Sequence, residues 1–171
     1  MNKKQIARNE AALYRHSKCG VIELTGEDRL QFLHNQTTND IKRLKAGQGC
    51  RTVFVNATGR TLDLATVYIT EETVLLIVSP KRTAFLMEWL DRYLFPMDRV
   101  TLKNFSEDYT VFTLTGEKSS EVLRSLQINL NAEQPFASHE IIEINNIPVR
   151  LAMGTDIALT GYTLIVPAQN A

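Results

Sequence analysis

The sequence has few cysteines, no excess of either charge and no long apolar run, and each shortage excludes a class of protein. Cys19 and Cys50 are the only cysteines among 171 residues, and two thiolates cannot by themselves hold an iron–sulfur cluster, which usually takes four protein ligands. The 19 basic and 19 acidic side chains balance, so charge does not argue for nucleic acid as a partner. The longest apolar run, residues 74–78, is too short to cross a bilayer. We therefore expect neither nucleic acid nor a membrane as partner.

A secretion signal is missing as well. Residues 1–16 are polar and lack the apolar stretch that such a signal needs. Two isolated cysteines in no metal-ligand spacing favour a reducing compartment. We therefore expect a cytoplasmic protein.

The common catalytic motifs are also absent from the sequence. It contains no P-loop, no complete G-x-G-x-x-G and no nucleophile elbow. The three histidines, His16, His34 and His139, are scattered and form no ligand pair. The sequence therefore predicts no metal site and gives no pair of nucleophile and general base.

The elements that are present alternate between strands and helices. Apolar residues make up 44% of the chain, which is enough for a core. Strands are predicted over residues 21–24, 52–55, 61–69, 73–78, 100–105, 109–114, 139–144, 149–153 and 163–166, and helices over 3–15, from Thr25 onward, from Ser79-Pro80 onward and over 115–126. This alternation, with several hairpins, predicts an α+β fold.

One unit of structure is predicted twice. The stretches VIELTGEDRLQFL and VFTLTGEKSSEVL each read as a strand, then Leu-Thr-Gly-Glu, then a helix. Two copies of one supersecondary unit predict two related α/β halves.

Asp63 is the most informative polar residue, because it lies within a strand between apolar neighbours. Strand alternation places it on one face with Thr61, Ala65 and Val67. A buried carboxylate must be paired or hydrogen-bonded, and its two oxygens can accept two parallel N–H bonds, such as those of a pterin's amino-pyrimidinone edge. The alternative is an edge-strand acid in solvent, or an ion-pair partner for Arg60 or Arg51.

Two further polar groups flank the predicted strands. Asn56-Ala57-Thr58-Gly59 is typical of a hairpin connection. The cluster Gln36, Thr38, Asn39 and Asp40 interrupts the helical spacing of the apolar residues around it. It could line a pocket, but Asn and Asp at an interrupted helix more often cap a helix. In that case Asn39 or Asp40 would cap a second short helix.

Ser79-Pro80 is typical of a helix start, with serine as the N-cap and proline at the first position. Lys81 and Arg82 would then lie in the first helical turn, where two cations and free backbone N–H groups would form an anion site for a glutamate tail or a phosphate. The alternative is two solvated surface side chains.

Taken together, the run GVIELTGEDRLQFLHNQTTNDI followed by L-x-x-G resembles the folate-binding superfamily of the glycine-cleavage T-protein. Within it, the segment VFVNATGRTLDLATVY and the segment FLMEWLDRYLFP look like the YgfZ-type branch, in the variant of photosynthetic lineages. Members of that branch support iron–sulfur cluster assembly or repair. The resemblance covers essentially the whole chain.

The resemblance implies a GcvT/YgfZ-like folate-binding fold with two intertwined α/β subdomains, residues 1–48 with 137–171 and residues 49–136. It implies tetrahydrofolate or a derivative as ligand, held by Asn56, Asp63 and Ser79, with Lys81 or Arg82 on the glutamate tail. It also implies iron–sulfur cluster assembly proteins as partners. The family's C-terminal barrel is expected to be absent. The sequence stops before the position of the Lys-Gly-Cys motif of the cluster-assembly members, and two alternatives are open: the native chain continues past Ala171, or the protein is a short form without that chemistry.

Departures from the transferase pattern of this family bear on catalysis. Aminomethyltransferases carry an acidic pair where this chain has Asp63-Leu64, an asparagine where it has Pro80, and a glutamate where it has Ala158-Leu159-Thr160. We therefore expect a binding protein rather than an enzyme. The alternatives are an aminomethyltransferase-like one-carbon transferase, with Asp63 holding the cofactor or the substrate amine, and an interaction domain that has lost its ligand.

Overall fold

A computed structural model describes residues 9–16, 18–128, 133–156 and 159–171. The chain divides into two compact units, one of residues 18–107 and the other of residues 1–17 with 108–171. Each unit has its own five-stranded antiparallel sheet. The predicted α+β class is confirmed. No helix within the described ranges is long and apolar enough to span a membrane.

The central unit is the one of residues 18–107. It contains β2 (Gly20–Thr25), α1 (Arg29–Gln36), β3 (Gly49–Val55), β4 (Thr61–Ile69), β5 (Thr73–Val78), α2 (Thr83–Asp91) and β6 (Thr101–Asn104). Its strand order is β3-β4-β5-β2-β6. One core cluster joins alternate residues of the strands, such as Ile22 and Leu76, to Leu33 of α1 and to Leu86 and Leu90 of α2. Both helices therefore cover the same face of this sheet.

The outer unit is assembled from the two ends of the chain. It contains β1 (Ala12–His16), β7 (Tyr109–Thr115), α3 (Ser119–Ser125), β8 (His139–Ile144), β9 (Ile147–Met153) and β10 (Gly161–Pro167). The strand order is β1-β7-β10-β9-β8. Leu123 of α3 packs with Leu114, Leu151 and Leu164 of the sheet. The β8–β9 hairpin turns at Asn145 and Asn146, whose φ angles of 52° and 62° suit the two-residue turn.

The predicted helix over 3–15 is wrong over Ala12–His16, which form β1; residues 3–8 lie outside the described part. β1 pairs antiparallel with β7, from Ala12 beside Thr115 to His16 beside Val111. Pairing with a strand about a hundred residues away decides the conformation here, and tertiary context commonly overrides a weak local propensity.

The predicted domain boundaries at 48/49 and 136/137 are also misplaced. β2 pairs with β5 and with β6, so residues 20–25 share one sheet with residues 49–104. A boundary at 48/49 would cut between α1 and the sheet on which it packs. Because β7 pairs with β1 and β10, residues 109–115 belong to the outer unit.

The repeated Leu-Thr-Gly-Glu segment forms the same structure in both units. Gly26 after β2 and Gly116 after β7 have φ angles of 102° and 110°, and a helix begins three residues later in each case. Thr25 was predicted to cap α1, but it ends β2, and the turn at Gly26 separates it from the helix. Each copy contributes a strand that pairs on both sides.

We predict that Gly26→Ala destabilises the protein far more than Gly59→Ala. Both glycines have positive φ, which costs any L-residue about 1–2 kcal/mol. A Cβ at Gly26 would lie 2.0 Å from the Arg99 carbonyl oxygen, whereas no atom lies within 4 Å of one at Gly59. Urea unfolding should show a loss of about 1 kcal/mol for Gly59→Ala and a further loss of about 1–3 kcal/mol for Gly26→Ala. Equal losses would mean that the backbone of residue 99 moves aside freely.

Candidate functional site

Asp63 lies on β4, an interior strand between β3 and β5. Its carboxylate is buried, with 6% of the residue exposed. It shares the core-facing side of the sheet with Ala65 and Val67, as the alternation predicts, and its cross-strand neighbour on β3 is the fully buried Phe54. The alternative of a solvent-exposed edge acid is therefore wrong.

The backbone N–H of Ser79 donates a hydrogen bond to Asp63 Oδ2 at 3.0 Å. Ser79 directly follows β5, whose antiparallel pairing with β4 brings the end of one strand beside the start of the other. A carboxylate accepts bonds at about four lone-pair positions, so this single bond leaves most of its acceptor capacity for a ligand.

Ser79 was predicted to be a helix N-cap, and this is wrong. The N–H of Arg82 donates to the Ser79 carbonyl at 3.1 Å, which closes a β-turn over residues 79–82. Pro80 occupies its second position, and Lys81, with φ of 64°, has the positive φ that the third position of a type II turn requires. Because this turn intervenes, α2 begins at Thr83 and not at Pro80.

Arg82 is bound within the protein. Its Nη2 donates to the Leu62 carbonyl, and its guanidinium lies 4.2 Å from the centre of the Phe85 ring. Leu62 is the extra residue of a β-bulge, since the β3–β4 register passes from Phe54 beside Asp63 to Val55 beside Thr61. A bulge leaves the extra residue out of the ladder, and Arg82 supplies the hydrogen bond that its carbonyl needs.

Lys81 is exposed at the outer corner of the same turn. Neither Lys81 nor Arg82 lies in the first turn of α2, because the helix begins after both of them. Of the two cations predicted to bind an anion, Lys81 is therefore the one whose ammonium projects from the turn into solvent.

Asn56 forms the predicted hairpin connection and uses its side-chain oxygen there. Asn56 Oδ1 accepts bonds from the Thr58 N–H at 3.0 Å and the Arg60 N–H at 2.9 Å. It also accepts a bond from the Thr58 hydroxyl at 2.8 Å. The amide nitrogen of Asn56 takes no part in these bonds, so any contact with a ligand would come from that donor.

The five predicted residues thus meet at one end of the central sheet. Asn56 follows β3, Asp63 lies near the start of β4, and Ser79 with Lys81 and Arg82 follows β5. A direct hydrogen bond joins Asp63 to Ser79, and Arg82 reaches the neighbouring Leu62. The structure therefore places a buried carboxylate beside a cationic turn.

Sequence reasoning missed a second polar group at this end of the sheet. Ser106 Oγ accepts a bond from the Val21 N–H at 3.0 Å and donates one to Asn104 Oδ1 at 2.6 Å. Thr83 Oγ1 lies 3.4 Å from Ser106 Oγ, and a Cβ at Gly20 would lie 1.8 Å from Thr83 Oγ1. The signal that could have found this group is the pair of polar residues Asn104 and Ser106 at the end of the strand predicted over residues 100–105.

The cluster Gln36, Thr38, Asn39 and Asp40 was predicted to cap a helix or to line a pocket. Gln36 lines a pocket of about 320 Å³ beside α1, whereas Thr38 and Asn39 cover the open edge of β3. The Thr38 N–H donates to the Val53 carbonyl at 3.1 Å, and the Thr38 hydroxyl accepts the Val53 N–H at 3.3 Å. Asn39 Nδ2 donates to the Arg51 carbonyl. Asp40 precedes a short 3-10 turn without capping it through its side chain.

The environment of Cys50 disfavours the reactive form of its thiol. Burial raises the pKa of the Cys50 thiol, and a hydrogen bond with the Asn39 side chain opposes this shift only in part. A raised pKa keeps the thiol protonated, and the thiolate is the reactive form. Over the described ranges, no group of three or more His, Cys, Asp or Glu side chains is placed to hold a metal ion.

Comparison with known proteins gives consistent matches. A family model described as the GCVT N-terminal domain matches residues 2–171. A chloroplastic protein of Arabidopsis thaliana, provisionally named a transferase, is 36% identical over 155 residues, which is 91% of this chain and 36% of that protein. An aminomethyltransferase of Natranaerobius thermophilus is 30% identical over 165 residues, which is 95% of this chain and 45% of the enzyme. The chain thus spans less than half the length of these relatives.

Solved structures show the same fold. The glycine cleavage system aminomethyltransferase T of Bartonella henselae superposes with a TM-score of 0.84 at 17% identity, over 98% of this chain and 45% of that one. A chain of the heterotetrameric sarcosine oxidase of Corynebacterium sp. U-96 gives a TM-score of 0.68 at 18% identity, over 93% of this chain and 76% of that one.

We predict that Asp63→Ala lowers the free energy of unfolding by about 1–3 kcal/mol, because it leaves the Ser79 N–H without its acceptor. Asp63→Asn keeps an oxygen at the same place and should lose less than half as much. Urea unfolding of both variants beside the wild type measures the difference. Equal losses in the two variants would show that the hydrogen bond to Ser79 does not determine the stability of this site.

Proposed function

Because the chain belongs to the GCVT N-terminal domain family, we propose that it binds a reduced folate, tetrahydrofolate or one of its derivatives. The observation that carries this proposal is the buried carboxylate of Asp63. Ser79 holds it with one hydrogen bond, which fixes its orientation while most of its acceptor positions stay available. A pterin's amino-pyrimidinone edge presents two parallel N–H donors, and one carboxylate can accept both.

The glutamate tail of the folate is assigned to Lys81. Its ammonium is exposed at the turn that follows β5, only two residues from the serine that binds Asp63. Arg82 is bound to the Leu62 carbonyl and to Phe85, so we assign it the supporting task of holding the start of β4. Asn56 would contribute a side-chain N–H donor from the β3–β4 hairpin.

We further propose that the protein is a YgfZ-like binding protein that supports iron–sulfur cluster assembly or repair in the cytosol, with cluster assembly proteins as its partners. Its departures from the transferase pattern support this role. Where the transferases carry an acidic pair this chain has Asp63-Leu64, and Leu64 is 49% exposed on the face of β4 opposite Asp63. The site therefore contains a single oriented carboxylate, which suits recognition of a ligand.

A second candidate is an aminomethyltransferase-like one-carbon transferase that uses tetrahydrofolate. The relatives named as aminomethyltransferases, in Natranaerobius thermophilus and Bacillus licheniformis, favour it. In that case Asp63 would hold the cofactor or the substrate amine while the one-carbon unit moves. An interaction domain without a ligand is the remaining alternative, and a titration with folate separates it from both.

We predict saturable binding of 5-formyl-tetrahydrofolate to this chain in a calorimetric titration. Asp63→Asn should weaken the binding at least tenfold, about 1.4 kcal/mol, because an amide cannot accept both N–H bonds of the pterin edge. The matched control is Asp108→Asn, which makes the same chemical change at an exposed aspartate and should bind as the wild type does. Unchanged affinity in Asp63→Asn would remove Asp63 from the site, and absence of binding by the wild type would favour the ligand-free domain.

We also predict that the chain forms no methylene-tetrahydrofolate from an aminomethyl donor. The reason is that the described site offers one acceptor carboxylate and no second acid beside it on β4. Incubation with aminomethyl-loaded lipoyl carrier protein and tetrahydrofolate, followed by chromatography of the folates, measures the product. Product that disappears in Asp63→Ala would establish the transferase alternative instead.

A further inference from the structure

β6 is an open edge of the central sheet. It pairs with β2 on one side, and it ends the strand order β3-β4-β5-β2-β6. Thr101, Lys103 and Asn104 are exposed and Leu102 is half-buried. Such an edge presents unpaired backbone groups, and proteins use it to bind an extended peptide as an additional strand.

The pairing with β2 shows which groups of β6 point outward. The Phe105 N–H donates to the Val21 carbonyl at 2.8 Å. In an antiparallel ladder, hydrogen-bonded and non-hydrogen-bonded pairs alternate, so with this register Lys103 and Thr101 also bond toward β2. The N–H and C=O of Leu102 and Asn104 therefore point to the open edge.

A groove of about 450 Å³ lies beside this edge, between α2 and β6. Met87 and Leu94 line it on the helix side, and Val100 and Leu102 line it on the strand side. A side chain of an added strand that points to the same face as Leu102 would enter this groove. Its volume suits an aliphatic side chain with part of the next one on that face.

The rim of the groove is negatively charged. Glu88 and Asp91 line it, and no basic residue does. Asp91 is the last residue of α2, where an acidic side chain adds to the negative end of the helix dipole. Glu88 is paired with Arg92, and no ion pair with Asp91 is recorded over the described residues. The charge at this end of α2 therefore favours a cationic partner.

We propose that β6 and this groove bind an extended, basic segment of a partner protein by strand addition. The segment forms hydrogen bonds with the backbone of Leu102 and Asn104. It places an aliphatic side chain in the groove, and a Lys or Arg two residues away, on the same face, against Asp91 and Glu88. A second copy of this chain fits less well, since it would bring an identical acidic rim and an identical Lys103 to the same edge.

The test uses a fluorescein-labelled heptapeptide of sequence Thr-Lys-Thr-Leu-Thr-Lys-Thr, with both ends blocked. Its leucine has a lysine two residues away on each side, so it fits in either strand direction. Fluorescence anisotropy should show saturable binding to this chain. The peptide with both lysines replaced by glutamate should bind to the wild-type chain at least tenfold more weakly. The lysine peptide should likewise bind at least tenfold more weakly to the Asp91→Lys variant of the chain.

Glu117→Lys is the control for net charge, because Glu117 is exposed and lies in the outer unit; it should leave the affinity unchanged. Amide hydrogen exchange should slow at Leu102 and Asn104 when the peptide is added, which a purely electrostatic contact would not cause. The proposal is overturned by absence of binding to the folded chain, by equal binding of the glutamate peptide, or by unchanged exchange at these two amides. A concentration-dependent dimer that Asp91→Lys alters would identify a second copy as the occupant instead.

Discussion

The central unit depends on the burial of one carboxylate in an interior strand. Asp63 sits on β4 against Phe54, with the core residues Ala65 and Val67 on the same face. A buried carboxylate is costly unless it is hydrogen-bonded, so the chain must deliver a donor at this point. That donor is the backbone N–H of Ser79, and the antiparallel pairing of β4 with β5 is what brings it there. The turn after β5 must therefore place the Ser79 N–H beside the Asp63 carboxylate.

The β-turn of residues 79–82 also determines where α2 starts. It delays the helix to Thr83 and places Arg82 where it binds the bulged carbonyl of Leu62. The bulge and the turn thus stabilise each other on both sides of Asp63. α2 ends at Asp91, and Asp91 lines the acidic rim of the groove beside β6. The proposed folate site and the proposed peptide site therefore lie at opposite ends of one helix.

Local chemistry was enough to predict the interior strands, the side of β4 on which Asp63 lies, and the hairpins at Asn56 and Asn145. Strand alternation and turn residues carry that information within a few positions. β1 was missed because it is held by pairing with β7, far along the chain. The late start of α2 was missed because Lys81 adopts a positive φ that its residue type does not signal. The bulge at Leu62 depends on Arg82, twenty residues away, and no pattern within either strand shows it.

The proposed recognition of a folate rests on the orientation of one buried acceptor. Asp63 is an acceptor fixed by a backbone donor, and its strand neighbour Leu64 faces the other way and is half-exposed. An acid pair on adjacent residues of a strand could not share one pocket in any case, because alternate residues point to opposite faces. The Asp63 carboxylate is therefore the acceptor on which the proposed folate site rests, and Leu64 adds no charge to the opposite face of β4.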